Sequence, residues 1–210
     1  MRWKNTGPRK RQFRAPAAFI DPCIPTKVDK PPEGDRWAHE IKHDGFRLQI
    51  HAGGNGTAEL YTRTGATCTD RYPAIAEAAR KLKRAAIIDA EAVIIGPDGI
   101  TDFKAMESRQ RDDEAFAYVF DLMVLDGEDL RQRPWLERRE LLRKILRKTS
   151  AIHFNDHHLG QGPEIYEQAC RMGLEGIVSK LIDAPYRSGR SRAWLKVKNP
   201  DAPGVLRFKE

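Results

Sequence analysis

The stretch Ile87-Ile88-Asp89-Ala90-Glu91-Ala92-Val93-Ile94-Ile95 constrains the fold more than any other part of the chain. It is apolar except for two carboxylates at i and i+2, a spacing that puts both on one face of a strand. A strand of this composition is buried, and buried carboxylates require cations, a metal or a hydrogen-bonding ligand opposite them. The rest of the sequence must supply those groups. Alternation along Trp37–Lys42 puts Ala38, Glu40 and Lys42 on one face and Trp37, His39 and Ile41 on the other, just before an Asp44-Gly45 turn. Lys196 and Lys198 share a face of a second short strand, with Leu195 and Val197 on the opposite one, and Glu175 heads the apolar run Gly176-Ile177-Val178-Ser179-Lys180. Any one of these groups alone reads as a surface residue or a structural ion pair. Together they describe a cleft lined by lysines and carboxylates, the composition needed to hold a triphosphate with magnesium.

The chain has 210 residues, 40% hydrophobic and 32% charged, enough to bury a core, which argues against collagen-like, coiled-coil and wholly disordered folds. Apolar runs fall short of the roughly 20 residues a bilayer crossing needs, and no apolar segment backs the basic start. Cys23, Cys68 and Cys170 are odd in number and lie outside any CxxC spacing, so neither a disulfide framework nor a zinc site is expected. His153, His157 and His158 lack matching Cys or carboxylate spacing and read as surface or core histidines. A soluble protein of the reducing cytoplasm is the expectation, with no membrane partner.

Strand-like segments fall at 36–42, 46–52, 57–63, 86–95, 115–125, 151–155, 175–181 and 193–198, with Asp44-Gly45 and Gly53-Gly54-Asn55-Gly56 supplying hairpin turns. Helices are expected from Pro73 to about Arg84, from Pro134 to about Lys148 with Trp135, Leu142, Ile145 and Leu146 as the apolar stripe, and from Pro163 to about Arg171. Consecutive strands followed by interspersed helices indicate an α+β fold with mostly antiparallel sheets and flanking helices. The expected organisation is an extended, basic and Pro-rich lead-in over 1–35 near the surface, one domain over 36–200, and a short tail over 201–210. The net charge is +7. Residues 1–14 carry six Lys or Arg and no acid, and 187–209 carry seven against Asp201 alone, a distribution that suits a polyanionic partner.

Six blocks in order carry a family resemblance: Glu40 with Lys42-His43-Asp44-Gly45-Phe46-Arg47, Tyr61-Thr62-Arg63-Thr64-Gly65, Asp89-Ala90-Glu91, Val119-Phe120-Asp121-Leu122, Glu175–Lys180 and Trp194–Lys198. The chain resembles the covalent nucleotidyltransferases, specifically the ATP-dependent DNA ligases, and most closely the ligase module of the bacterial ligase D type. The resemblance implies that Lys42 attacks the α-phosphate of ATP, forming a lysine-AMP phosphoramide, and that AMP then passes to a DNA 5′-phosphate at a nick. It implies Phe120 stacking on adenine, Glu40 accepting from the exocyclic amine, and Ile41 beside the nucleotide. Arg47, Arg63, Lys180 and Arg190 are expected near phosphate or DNA, and Lys196 and Lys198 at the α-phosphate. Glu91 and Glu175 are the candidates for placing Mg2+ (or Mn2+), with the ribose hydroxyl as a second role for Glu91. Partial burial and the cations Lys196, Lys198, Arg47 and Arg190 are expected to lower the Lys42 pKa.

Two departures from the family stand out. Ala90 replaces a usual glycine, and twelve residues after Lys198 are too few for the C-terminal OB-fold of typical ligases, so a protein partner supplying that function or bridging ends is the expectation. Two alternatives share parts of the pattern: an RNA ligase or capping-type enzyme, and a non-catalytic remnant binding nucleic acid or adenylate through its basic rows.

Overall fold

The computed structural model of the protein describes residues 18–146 and 151–203. In chain order, β1 (Cys23–Lys27) and β2 (Trp37–Ile41) precede a hairpin of β3 (Phe46–Gly53) and β4 (Ala58–Thr62), then α1 (Pro73–Arg80) and β5 (Ala85–Val93). Next come α2 (Phe103–Ser108), β6 (Phe116–Leu125), β7 (Glu128–Asp129), α3 (Trp135–Ile145), β8 (Ile152–Phe154) and β9 (His157–Leu159). The last elements are α4 (Gly162–Arg171), β10 (Gly176–Leu181) and β11 (Gly189–Lys198).

The strands form two sheets. One has the order β1-β11-β10-β2-β9, the other β4-β3-β5-β6-β7 with β8 also paired to β6. Pairing is antiparallel except for β1–β11 and β6–β8. The α+β, mostly antiparallel architecture follows from the sequence pattern, because short turns such as Asp44-Gly45 join neighbouring strands directly.

β5 is central to its sheet and buried along nearly its whole length. On one face Ala86, Ile88, Ala90 and Ala92 join the main core with Ile75, Ala76, Ala78 and Ala79 of α1. The opposite face carries Ile87 into a second core with Cys23, Ala38, Phe120, Met123, Trp135 and Trp194. Asp89 and Glu91 share that face by the same alternation, so two carboxylates point into the space between the sheets. The methyl of Ala90 belongs to the far core, so replacing glycine there leaves the intersheet space untouched.

Several sequence expectations need correction. The folded body starts before Arg36: β1 pairs with β11, and the Cys23 side chain is fully buried. Proline argued against a helix over this stretch, but a parallel partner about 165 residues away left no local trace. α2, β7 and β9 were not foreseen, being too short to show a period. α1 ends at Arg80 rather than Arg84, since the chain must turn before β5 begins at Ala85. Residues 1–17, the end of the helix expected to reach Lys148, and 204–210 of the tail lie outside the described residues. Among the described residues no helix is long and apolar enough to cross a membrane.

Four histidines are packed away with the charge removed: burial pushes His39, His43, His51 and His157 each down to about 4. An unfolded chain protonates these rings near their ordinary pKa, whereas the folded protein resists until much lower pH, so stability falls as pH drops from 6.5 towards 4. At pH 5 unfolding should take up roughly three to four protons from this source, countable by calorimetry in buffers of different ionisation enthalpy. A midpoint that stays flat between pH 7 and pH 5 would contradict the assignment.

Candidate active site

Between the sheets lies a narrow cleft with a cavity volume of about 80 Å³. Its walls come from both sheets: Glu40 and Ile41 of β2, Val178 and Lys180 of β10 and Trp194 of β11 on one side, Arg47 of β3, Glu91 of β5 and Phe120 of β6 on the other. Lys42 and His43, on the turn from β2 into β3, close one end with Asn155.

Glycine sets the approach of the two turns that carry charge. A Cβ on Gly45 would sit 2.1 Å from the Ala92 carbonyl oxygen, and one on Gly176, at φ +139, only 2.0 Å from that of Val197. Only glycine lets these backbones meet their neighbours so closely. Gly176 thereby brings Glu175 beside the lysine turn, where the Lys42 backbone N–H donates to the Gly176 carbonyl at 3.0 Å. Lys42 Nζ donates to Glu175 Oε2 at 2.5 Å, while Lys198 Nζ lies 2.9 Å from Glu175 Oε1. One carboxylate thus bridges two lysines. Burial, with repulsion from Lys42 and Lys198, lowers the pKa of neighbouring Lys196. Burial pushes the Glu91 carboxyl up to about 7 against the pull of Lys42 and Arg47. Glu91 is therefore an under-compensated acid facing the cleft.

Beneath this row lies a buried ionic network. Arg47 holds Asp89 through Nε and Nη2, both at 2.6 Å, and its Nη2 also donates to the Cys23 carbonyl at 3.2 Å. Tyr186 Oη donates to Asp89 at 2.7 Å and accepts from the Cys23 N–H at 2.9 Å, closing a ring that ties β1 to β3 and β5. The Arg47 guanidinium also lies over the Phe120 ring at 4.6 Å.

Glu40, 2% exposed, receives Lys180 Nζ on Oε2 at 2.5 Å and has Arg139 Nη2 3.1 Å from Oε1. Oε1 nevertheless has no hydrogen-bond donor among the described residues.

The structure gathers Glu40, Ile41, Lys42, Arg47, Glu91, Phe120 and Lys180 in the cleft wall, with Glu175, Lys196 and Lys198 adjoining Lys42. Three expectations change. Lys180 does not reach out to phosphate or DNA: it is 1% exposed, enclosed by Phe120, Trp194 and Trp135, and serves as counter-ion to Glu40, which could not be buried without one. Arg47 is likewise committed to Asp89, for the same reason. Arg63 and Arg190 lie exposed outside the cleft wall, Arg190 at the far end of β11 opposite Ile24, so Arg190 is not among the cations around Lys42. Sequence reading missed Asn155, Arg139, Trp194 and Pro25 as parts of the site. Arg139 lies at helical spacing on the face of Trp135 and Leu142, where its charge kept it out of the apolar stripe, and no local pattern marks Asn155.

A metal finds only part of a site here. Among the described residues no group of three or more His, Cys, Asp or Glu could hold an ion. Glu91 and Glu175 suit an ion that arrives on phosphate oxygens, since magnesium commonly takes one or two carboxylates with the rest of its shell from substrate and water.

The family described as "ATP dependent DNA ligase domain" matches residues 23–198, a span holding both sheets and every wall of the cleft. The chain belongs to that family. The multifunctional non-homologous end joining protein LigD of Pseudomonas aeruginosa is 33% identical over 186 residues, covering 86% of this chain and 22% of that protein. A probable DNA ligase of Streptomyces coelicolor is 38% identical over 178 residues, covering 77% of this chain and 35% of that protein. A structure of mycobacterial DNA ligase D complexed with ATP and MES superposes with a TM-score of 0.78 at 30% identity, over 85% of this chain and 60% of the other. The chain spans about a fifth of the length of the LigD relatives it matches. The family is ATP-dependent, and its chemistry proceeds through a lysine-AMP intermediate.

The buried ring around Asp89 gives a stability test. Asp89→Ala leaves the Arg47 guanidinium without its counter-ion and should cost about 3–5 kcal/mol in denaturant unfolding. A loss under about 1 kcal/mol would mean that water replaces the carboxylate.

Proposed function

We propose that this chain is the nucleotidyltransferase part of a DNA-joining enzyme and that Lys42 is its nucleophile. The observation that carries the reading is the position of Lys42 Nζ, part-buried at one end of the intersheet cleft and 2.5 Å from a carboxylate that a second lysine also holds. Glu175 Oε2 is the nearest acceptor for a proton leaving the ammonium. The free amine attacks the α-phosphorus of ATP, the N–P bond forms, and the bond to the β-phosphate oxygen breaks with its electron pair leaving on pyrophosphate. Lys196 and Lys198 balance the charge that builds on the α-phosphate oxygens. When bound, a divalent cation neutralises phosphate charge further, with Glu91 and Glu175 as the residues to hold it.

Base selection falls to Glu40 and Phe120. Glu40 Oε1, 3.1 Å from Arg139 Nη2, has no hydrogen-bond donor among the described residues, which suits an exocyclic amine and disfavours the carbonyl that guanine presents there. Phe120 offers the ring against which adenine stacks. The nucleic-acid partner is a nicked duplex. Phosphate contacts come from exposed Arg63, Arg187, Arg190 and Arg192 and from the six basic residues within 1–14, giving affinity for nick structure rather than sequence. A protein supplying an OB-fold or end-bridging function completes sealing, in the reducing cytoplasm where Cys23, Cys68 and Cys170 remain thiols.

Incubation with α-labelled ATP and magnesium, followed by a nicked duplex, should label the protein and then move the label to DNA. Lys42→Ala should abolish the acid-labile label; label surviving on that variant removes Lys42 from the mechanism. Transfer to RNA nicks alone would favour an RNA ligase, and salt-sensitive DNA binding with no covalent AMP would indicate a binding remnant.

Glu40→Gln should narrow the preference for ATP over GTP by about tenfold, the worth of one hydrogen bond near 1.4 kcal/mol, as read from competition between the two nucleotides. Deleting residues 1–14 should weaken nicked-duplex binding and flatten its salt slope, and an unchanged slope would exclude these residues from the interface.

A further inference from the structure

Asn155 sits between β8 and β9, 6% exposed, and lies far from the lysine motif in sequence. Its backbone is pinned on both sides: the N–H donates to the Val119 carbonyl at 3.0 Å, and its own carbonyl accepts from Arg139 Nη2. The side-chain amide thereby projects from a fixed base. Nδ2 donates to the Ile41 carbonyl at 3.2 Å, and Oδ1 lies 3.0 Å from His43 Nε2. Commitment of Nδ2 to a carbonyl orients the amide, so Oδ1 is the acceptor and His43 Nε2 carries the proton. The His43 ring lies flat on Tyr118, with centroids 3.7 Å apart and planes 6° from parallel. One amide therefore holds the residue before Lys42 by its carbonyl and the residue after it by its ring.

We propose that Asn155, acting through Ile41 and His43, is a positioning residue that fixes the Lys42 turn so that Nζ is aimed into the cleft. The inference rests on the reading of Lys42 as the nucleophile and adds to it the device that holds this nucleophile in place. The side-chain hydrogen bonds of Asn155 go to Ile41 and His43, and that of Lys42 Nζ to Glu175. Its effect lies in the near-attack geometry, where a displacement of about 1 Å costs about 100-fold in rate. Nucleotide affinity is set instead by Glu40, Phe120 and the lysine row, which the amide does not order.

The test is the rate of self-adenylylation with α-labelled ATP as a function of ATP concentration, alongside hydrogen exchange of the intact protein without nucleotide. Asn155→Ala should lower kcat about 10- to 100-fold while KM for ATP changes less than about threefold. In the same variant the amides of residues 42–45 should exchange faster while those in the middle of β3 stay protected. His43→Ala should reproduce the kcat loss, and His43→Gln, which keeps a donor for Asn155 Oδ1, should recover most of it. An unchanged kcat in a folded Asn155→Ala protein overturns the proposal, as does an equal change in kcat and KM. Should Asn155→Ala fail to fold, the two His43 variants decide by the same split. If the unaltered protein forms no lysine-AMP, the reading of Lys42 has failed. The exchange measurement then judges the clamp by itself, and unaltered protection at 42–45 overturns it.

Discussion

The contact on which the rest of the architecture depends is the paired hydrogen bond between Arg47 and Asp89. A charge pair this deeply buried loses much of its attraction to the cost of removing both ions from water, and is tolerable only when the remaining donors and acceptors are also satisfied. Here Tyr186 Oη and the Cys23 carbonyl complete that requirement. Because Cys23 belongs to one sheet and Arg47 and Asp89 to the other, the network also fixes the separation of the sheets at the floor of the cleft. The Arg47 guanidinium then lies over Phe120, so one ion pair sets the width of the cleft and backs its Phe120 wall.

The charges around it are graded by how completely each is compensated. Glu40 has two cations and is almost fully enclosed; Glu175 has two lysines and is part of the reacting end; Glu91 faces Lys42 and Arg47 but is held up near neutrality by burial. Full compensation suits recognition of an uncharged base, where a fixed acceptor is wanted. Incomplete compensation suits the end where phosphate and its counter-ion must enter, since the incoming ion supplies what the protein lacks. Glu40 and Glu175 each hold two cations, and Glu91 is the acid of the cleft left short.

Much of this was legible in the sequence wherever one strand's own alternation carries the information. The shared face of Asp89 and Glu91, the lysine at the end of β2 and the two lysines of β11 follow from a period of two residues and need no knowledge of partners. The strands and turns of β3, β4, β5 and β6 were readable for the same reason. What escaped was set by contacts between distant segments. Arg138 and Arg139 fall at helical spacing on the face of Trp135 and Leu142 but were not read as part of that stripe because they are charged; both are buried, Arg138 by its paired bonds to Asp121 and Arg139 beside Glu40. Lys180 was expected near phosphate only through the family resemblance, and the aromatic walls of Phe120, Trp194 and Trp135 reveal it as a core counter-ion. Asn155 carried no signal at all, because its importance lies in the two groups it touches and not in its neighbours along the chain.

The parallel pairing of β1 with β11 has a temporal consequence. Hydrogen bonds such as Thr26 Oγ1 to the Ser191 carbonyl join residues 165 positions apart, and β11 is also the strand that carries Lys196 and Lys198. A chain emerging from the ribosome can assemble the β3–β6 sheet early, from nearby segments, but cannot close the intersheet cleft until β11 has been synthesised. Lys42, the proposed nucleophile, is thus made well before its surroundings are assembled, and a complete cleft arrives as a late event in the life of each molecule.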